Sequence, residues 1–161
     1  MKNLKRILGL LLTAVLLLSS LTACLGGSVG DNGKATVVIE KSDGSFVSYE
    51  VDLAKIENKD GGMIPILDYL VADENTEFAY KTNDTGYGAY ITEIDTLAPD
   101  ETKEYVAIYT SAGEDFAVPS EWSPVVPTVT YGSITLTYSG VGLSSMHITD
   151  GTVVLFRVEG F

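Results

Sequence analysis

The sequence predicts an α+β domain that is mostly β, and three observations support this fold class. Apolar residues fall in short runs separated by turn residues, which is typical of strands. An Asp-Gly pair lies between two such runs near the start of the domain and predicts a hairpin. Within residues 24–161, one segment has the apolar spacing of a helix, and further strand-like segments follow it.

The hairpin is predicted over residues 35–40 and 46–51. The first segment, ATVVIE, is rich in β-branched residues, and the second alternates in the way that a strand requires. Asp43 and Gly44 lie between them, and glycine adopts positive φ angles without a Cβ clash. Asp43 is therefore interpreted as a turn residue rather than a ligand.

The helix is predicted within residues 59–72. Pro65 suits the first turn, where the N–H that proline lacks has no partner in any case. Four apolar residues recur at helical spacing and predict one face for packing on a sheet. These residues are Ile66, Leu67, Leu70 and Val71.

Further strands are predicted from alternating or apolar runs after the helix. Their ranges are 77–82, 87–95, 105–110, 134–138 and 153–158, with turns at 83–86 and 150–151. Residues 117–127 contain three prolines, which resist both a helix and a central strand. This segment is predicted to be an ordered surface loop.

Residues 1–23 have the layout of an export signal. A basic start precedes an apolar run at 7–18, and small residues follow before Cys24. The run is shorter than the roughly 20 apolar residues that a membrane-spanning helix needs. Residues 21–24 (LTAC) resemble the lipobox of bacterial lipoproteins. The resemblance implies cleavage before Cys24, a diacylglycerol on its sulfur, and an anchor on the extracellular face of the cell membrane.

The charge excludes one class of partner. The whole chain has 10 basic and 22 acidic residues, a net charge of -12, and loss of the signal would leave seven basic residues and a net charge of -15. Nucleic-acid binding depends on Lys and Arg that neutralise phosphates, so we expect no nucleic-acid partner. The charge also disfavours anionic lipid headgroups, so the acyl chains must hold the domain.

The mature chain is predicted to be one domain on a short tether. Residues 24–34 comprise the lipidated Cys24 and a Gly-rich segment that is expected to be flexible and to reach about 30 Å at full extension. Residues 35–161 suit a single domain. Cys24 is the sole cysteine, so no disulfide forms within the chain.

Residues 35–161 resemble a bacterial domain family related to the C-terminal domain of transcobalamin and intrinsic factor. Members of this family are often lipoproteins of Gram-positive bacteria. The resemblance rests on residues 88–95 (GAYITEID), on the position of the helix at 64–70 and on Asp150-Gly151 before the last strand. It implies a β-grasp-like sheet with one helix packed on it, and a ligand-binding role with a corrinoid as the candidate ligand.

Five aromatic residues are the candidate ligand-binding residues: Tyr87, Tyr90, Tyr105, Tyr109 and Trp122. Tyrosine offers a large apolar face and a polar tip, which suits flat ligands or sugars. It is also common in ordinary strands, and that interpretation stays open. The tryptophan lies in the proline-rich loop, where it is either a rigid contact point for a ligand or partner or a plug over a sheet edge.

No metal site and no enzyme activity are expected. The single histidine, His147, has no residues at the spacing of a transition-metal site, and it is interpreted as a surface or sheet residue with its polar groups paired. Calcium is a weaker alternative, with acidic ligands at 95, 100 and 101 or at 114 and 115. The sequence lacks a nucleophile elbow and a phosphate-binding loop.

The leading hypothesis is a lipid-anchored ligand-binding module on the extracellular face, serving a membrane importer. Its groove would be built from the tyrosine-rich strands and the proline-rich loop. The first alternative is a module that binds a surface protein by adding a strand to an exposed sheet edge. The second alternative is a cation-binding lipoprotein.

Overall fold

The computed structural model describes residues 26–85 and 88–161. Within this part of the chain, ten strands and a single α-helix form. The elements are β1 (Ser28–Val29), β2 (Lys34–Glu40), β3 (Phe46–Asp52), α1 (Ile64–Ala72), β4 (Tyr80–Thr85), β5 (Gly88–Ile94), β6 (Glu104–Thr110), β7 (Thr128–Tyr131), β8 (Ile134–Tyr138), β9 (His147–Ile148) and β10 (Val153–Gly160). The predicted α+β class, mostly β with one helix, is confirmed.

Six strands form one mixed sheet in the order β3-β2-β10-β6-β8-β7. The neighbours β2 and β10 are parallel, and all other neighbouring pairs are antiparallel. The pair β4-β5 forms a separate antiparallel ribbon, and β1 pairs with β9. Strand β10 begins with four buried residues, Val153 to Phe156, because both of its faces are covered.

The hairpin at the start of the domain is confirmed. Strands β2 and β3 pair in register from Lys34 opposite Asp52 to Glu40 opposite Phe46. Gly44 has a φ of 78°, the left-handed conformation that the turn requires. The carboxylate of Asp43 accepts a hydrogen bond from the backbone N–H of Ser45 at 2.9 Å. Asp43 is thus a turn residue.

The predicted helix is also confirmed, with one error in its buried face. Pro65 lies in the first turn, and Ile66, Leu67 and Leu70 are buried. Val71 is 49% exposed, so its assignment to the packed face is wrong. The buried positions include Met63 and follow i, i+3, i+4 and i+7, and position 71 falls just outside that stripe.

The predicted strand at 77–82 and the turn after it are displaced. Strand β4 runs through Asn83, Asp84 and Thr85, which pair with β5 where a turn was expected. The residues of β4 beyond Tyr80 are all exposed, so this ribbon tolerates polar turn-formers that a buried strand would exclude. The short strands β1, β7 and β9 were not predicted.

The described part of the predicted flexible tether is built into the domain instead. Strand β1 pairs with β9, and the side chain of Val29 is buried in the main core. The backbone N–H of Gly27 donates to Ser144 O at 2.9 Å. A Cβ at Gly27 would overlap the backbone of Met146, so only glycine permits this close approach. The predicted signal at 1–23 and Cys24 lie outside the described residues.

The two faces of the six-stranded sheet are covered differently. We call the first face the helix-covered face. On it, α1 packs on β2, β3, β6 and β10 to form the main core. The second face carries a smaller apolar cluster. Its buried members are Val38, Ala107, Tyr109, Leu136, Val153 and Leu155.

The second face is concave because the sheet curls. Phe46 on the first strand of the sheet contacts Tyr131 on the last, with ring centroids 5.4 Å apart at 77°. We call this surface the curled face.

Among the described residues, no helix has the length and apolar character needed to cross a membrane.

Candidate ligand-binding site

Three tyrosines and a glutamate meet on the curled face. Register places Glu159 of β10 opposite Tyr105 of β6, and Tyr109 opposite Tyr138 of β8. Directly opposed residues share a face, so these four side chains lie together. We call this group the tyrosine cluster.

The carboxylate of Glu159 holds two of the tyrosine hydroxyls. Tyr109 donates from Oη to Glu159 Oε1 at 2.6 Å, and Tyr105 donates to Oε2 at 3.2 Å. The rings of Tyr109 and Tyr138 meet edge to face, with centroids 5.5 Å apart. Both oxygens of one carboxylate thus accept hydrogen bonds from phenols.

The environment keeps these hydroxyls protonated. Burial is the largest cause that raises the pKa of Tyr109, followed by its hydrogen bond to Glu159. Burial also leads in raising the pKa of Tyr105, with hydrogen bonding to Tyr138 second. Tyr105 and Tyr109 therefore keep neutral hydroxyls at pH values where an exposed tyrosine ionises.

Arg157 adjoins the cluster on the same face of β10. Its Nη1 lies 3.2 Å from Glu40 Oε2, and its Nε lies 3.4 Å from Glu159 Oε1. The second contact is an ion pair without hydrogen-bond geometry, so the buried Nε–H has no acceptor among the described residues. An arginine between two glutamates with one donor unsatisfied is an unusual arrangement for a merely structural ion pair.

A cavity of about 620 Å³ opens beside Arg157. Its walls come from the β2-β3 turn and from the loop at 96–99, and Glu40 and Glu104 line it as well. Small-molecule sites usually measure about 300–1,000 Å³, so the volume suits a small ligand. Arg157 lines the cavity and contacts Glu159, so it joins the cavity to the tyrosine cluster.

The structure brings together only some of the predicted site residues. Tyr105 and Tyr109 lie in the cluster, and Tyr87 lies outside the described residues. Tyr90 is 41% exposed on β5; partial burial raises its pKa, and the nearby Glu101 and Tyr138 contribute further.

Trp122 does not join the tyrosine cluster. Its side chain is 95% exposed, so it packs neither on the cluster nor over an edge of the sheet. The alternative that it acts as a plug is therefore wrong. The proline-rich segment around it is an irregular surface loop, as predicted.

Sequence reasoning missed Glu40, Tyr138, Arg157 and Glu159. A signal for two of them exists in β10, where one face changes from Val153 and Leu155 to Arg157 and Glu159. Charged residues at two successive inward positions of an apolar strand mark a polar site. The contribution of Tyr138 depends on strand pairing that no local pattern reveals.

The acidic residues considered for calcium have other contacts. Asp95 accepts a hydrogen bond from Tyr49 Oη at 2.8 Å, and Asp100 pairs with Lys103 at 3.1 Å. Within residues 26–85 and 88–161, no three His, Cys, Asp or Glu side chains form a group that could hold a metal ion.

His147 is paired with a fully buried carboxylate. Asp115 accepts from the backbone N–H of His147 at 2.7 Å, and its other oxygen lies 2.7 Å from His147 Nδ1. The hydrogen bond to Asp115 is the main cause that raises the pKa of the imidazole. This matches the interpretation of His147 as a sheet residue with its polar groups paired.

A second cavity of about 670 Å³ lies beside the start of α1. Ile56, Ile64, Pro65 and Tyr69 contribute its apolar lining. It lacks an arginine and any buried side-chain donor without a partner among the described residues. The curled face is therefore the stronger candidate for specific recognition.

Comparison with known proteins identifies relatives in fold. No protein-family model matches the chain, and no curated protein matches it in sequence. A putative metal-binding protein from Ruminococcus gnavus matches in structure with a TM-score of 0.50 and 14% identity, over 80% of this chain and 98% of that one. Haptocorrin in complex with cobinamide (Cbi) matches with a TM-score of 0.50 and 13% identity, over 80% of this chain and 25% of that one. The expected likeness to transcobalamin-type proteins therefore holds at the level of the fold.

Proposed function

We propose that this chain is a lipid-anchored module on the extracellular face of the cell membrane that binds a small ligand without converting it. The ligand site is the 620 Å³ cavity together with the tyrosine cluster. The lipobox-like residues before Cys24 support the anchor. An importer in the same membrane would be the natural recipient of the ligand.

Arg157 is the observation that carries the ligand site. It lines the cavity, and its buried Nε–H has no acceptor among the described residues. Leaving a buried donor unsatisfied costs about 1–3 kcal/mol, so a ligand oxygen that draws the guanidinium toward the cavity would recover part of that cost. The planar guanidinium favours ligands with carboxylate, phosphate or amide oxygens.

The tyrosine cluster narrows the ligand class further. Tyr105 and Tyr138 are the partly buried tyrosines of the cluster, so their rings are the aromatic surfaces that a ligand could contact. A ring-bearing ligand with several acceptor groups suits these surfaces. A corrinoid has amide groups around a flat macrocycle and is the first candidate, and the haptocorrin complex of similar fold supports testing it. A molecule of that size would lie across the mouth of the cavity.

Thermal unfolding of the protein against cobinamide, haem, sugars and divalent cations tests the ligand site. A ligand at 100 times its Kd raises the free energy of unfolding by about 2.7 kcal/mol, which gives a clear rise in Tm. Arg157→Lys keeps the charge but removes the planar fork, and we expect it to weaken binding at least tenfold. Tyr69→Ala in the other cavity is the matched control and should bind normally.

Two results would contradict this assignment. If Tyr69→Ala weakens binding and Arg157→Lys does not, the ligand lies beside α1 instead. If only divalent cations raise Tm, the module is a cation binder.

The anchor is tested separately by Cys24→Ala. The wild-type protein should sediment with membranes, whereas the variant should be released or remain in an unprocessed form, because acylation requires the thiol. Membrane retention of a processed Cys24→Ala protein would contradict the anchor while leaving the ligand site unaffected.

The open edge of β3 favours a second candidate function, which is strand addition by a partner protein. β3 ends the six-stranded sheet, and among the described residues no further strand pairs with its outer edge. A seven-residue edge of this kind is a template for an extended segment. A photo-crosslinker at Ser48 should then capture a surface protein, and one at the exposed Thr135 should not. Equal capture from both positions would argue against strand addition.

A further inference from the structure

The loop at 117–127, here called the proline loop, presents three apolar side chains to solvent. Val118 is 81% exposed, Trp122 is 95% exposed and Val125 is 77% exposed. Isolated apolar residues on a surface are ordinary, but three on one short loop concentrate apolar surface there. The loop's one charged residue is Glu121.

The tip of the proline loop is held in shape by its own hydrogen bonds. The backbone N–H of Ser120 donates to Ser123 O at 2.9 Å, and the backbone N–H of Ser123 donates back to Ser120 Oγ at 3.0 Å. Prolines at 119, 124 and 127 restrict the backbone on both sides. The loop therefore loses little further backbone entropy when its exposed apolar side chains contact another surface.

The base of the proline loop lies next to the first described strand. Ala117 adjoins Gly140, which donates to Asp115 O at 2.8 Å. Asp115 in turn accepts from the backbone N–H of His147, which is the pairing partner of Ser28 in β1. Cys24 lies four residues before Ser28, a span of at most about 14 Å. The base of the loop and Ser28 thus lie close together, and the chain between Ser28 and the proposed lipid attachment point is short.

We propose that the proline loop docks on the lipid bilayer, with Trp122 at the depth of the headgroups. The inference rests on the Cys24 anchor of the proposed function and is independent of the ligand site. Tryptophan is the residue most suited to the membrane interface, because its ring is apolar and its N–H is polar. A chain cleaved before Cys24 has a net charge of -15, which excludes attraction to anionic headgroups as the cause, so apolar contact must hold the loop.

The sequence supplies a specific reporter, since Trp122 is the only tryptophan. The lipidated full chain, purified in detergent, is reconstituted into phosphatidylcholine vesicles with and without bromine-labelled acyl chains. We expect Trp122 emission to move to shorter wavelength, to be quenched by the brominated lipid and to be protected from aqueous iodide. Raising the salt concentration should leave these signals unchanged.

A double variant keeps the reporter and removes the apolar contact. Val118→Asp combined with Val125→Asp should abolish quenching by brominated lipid while the protein stays anchored. Val71→Asp changes another exposed valine, on α1, and should leave the quenching intact. The inference is overturned if anchored wild-type protein shows full iodide access and no lipid quenching. It is also overturned if Trp122 is protected only in native membranes, which would indicate a protein partner, or if the chain carries no lipid.

Discussion

The two faces of the six-stranded sheet are shielded from water in different ways. The helix-covered face is closed by α1, and its buried contributors are apolar, as Ile39 and Phe156 illustrate. The curled face has no helix and closes by bringing its edge strands together at Phe46 and Tyr131. Closure by curvature leaves room at one end for Arg157 and the tyrosine cluster.

This difference separates stability from recognition. A face covered by a helix must be mostly apolar, because a polar group there loses water and needs a hydrogen-bond partner, as Tyr49 has in Asp95. A curled face stays partly open, so charged and phenolic groups keep some hydration while they pair with one another. Strand β10 serves both faces, with Phe156 on one side and Arg157 on the other.

The largest effect is expected on the helix-covered face. Phe156 is fully buried in the main core, so Phe156→Ala should lower the free energy of unfolding by about 3–5 kcal/mol through lost burial and a residual cavity. Urea unfolding measures this. The exposed Val71→Ala is the control and should change it by less than about 0.5 kcal/mol. A loss below about 1 kcal/mol for Phe156→Ala would remove the proposed contrast.

A smaller loss is expected for Arg157→Met on the curled face. The change leaves Glu40 and Glu159 without their cation, and both side chains are mostly buried, at 17% and 24% exposure. Breaking a fully buried pair costs about 3–5 kcal/mol, so this partly hydrated group should cost about 1–3 kcal/mol in urea unfolding. Adding Glu159→Gln should recover part of the loss, and strict additivity of the two changes would argue against coupling.

Tyr109→Phe should lower the free energy of unfolding by less than Arg157→Met does. It removes one hydroxyl that donates to Glu159 and keeps the ring, so we expect a loss of about 1 kcal/mol in the free energy of unfolding. The substitution should leave the Tm rise from a bound ligand reduced rather than absent, because Arg157 remains. An unchanged free energy of unfolding would mean that the hydrogen bond gives no net stabilisation.

The smallest expected effect is a change in the free energy of unfolding that appears only in alkaline solution. Burial, and then Glu159, raises the pKa of Tyr109 above its unfolded value near 10. As pH rises, the unfolded chain thus loses this proton before the folded chain does. The stabilisation from the protonated Tyr109 hydroxyl is therefore complete below pH 10 and is lost as pH rises through the folded pKa.

Tyr49 on the helix-covered face provides the comparison, since burial and Asp95 raise its pKa to about 12. Urea unfolding between pH 8 and 11 should show a shallower decline for Tyr109→Phe and for Tyr49→Phe than for wild type. Identical slopes in all three proteins would contradict the raised pKa values.

The elements that the sequence predicted well are those whose cause is local. The turn at Asp43 and Gly44 and the helix after Pro65 follow from neighbours within a few residues, and both are present. Strand β1 could not be predicted, because Ser28 and Val29 become a strand only by pairing with residues 147 and 148. A Gly-rich segment carries no pattern that signals a partner so distant in sequence.

The candidate site was predicted in part for the same reason. Tyr105 and Tyr109 lie on one strand four residues apart, so their shared face follows from alternation alone. Glu159 and Tyr138 join them only through the register of β10 and β8 with β6. Trp122 was correctly placed on a surface loop, but its distance from the tyrosines depends on how that loop leaves the sheet.

The pairing of β1 with β9 also has a mechanical meaning. A pull on the chain from the N-terminal side of Ser28 reaches β1 before any strand of the six-stranded sheet. Only two residue pairs hold β1 on β9, whereas seven hold β10 on β6. Such a pull would therefore detach β1 and withdraw Val29 first, while the six-stranded sheet and its tyrosines stay intact.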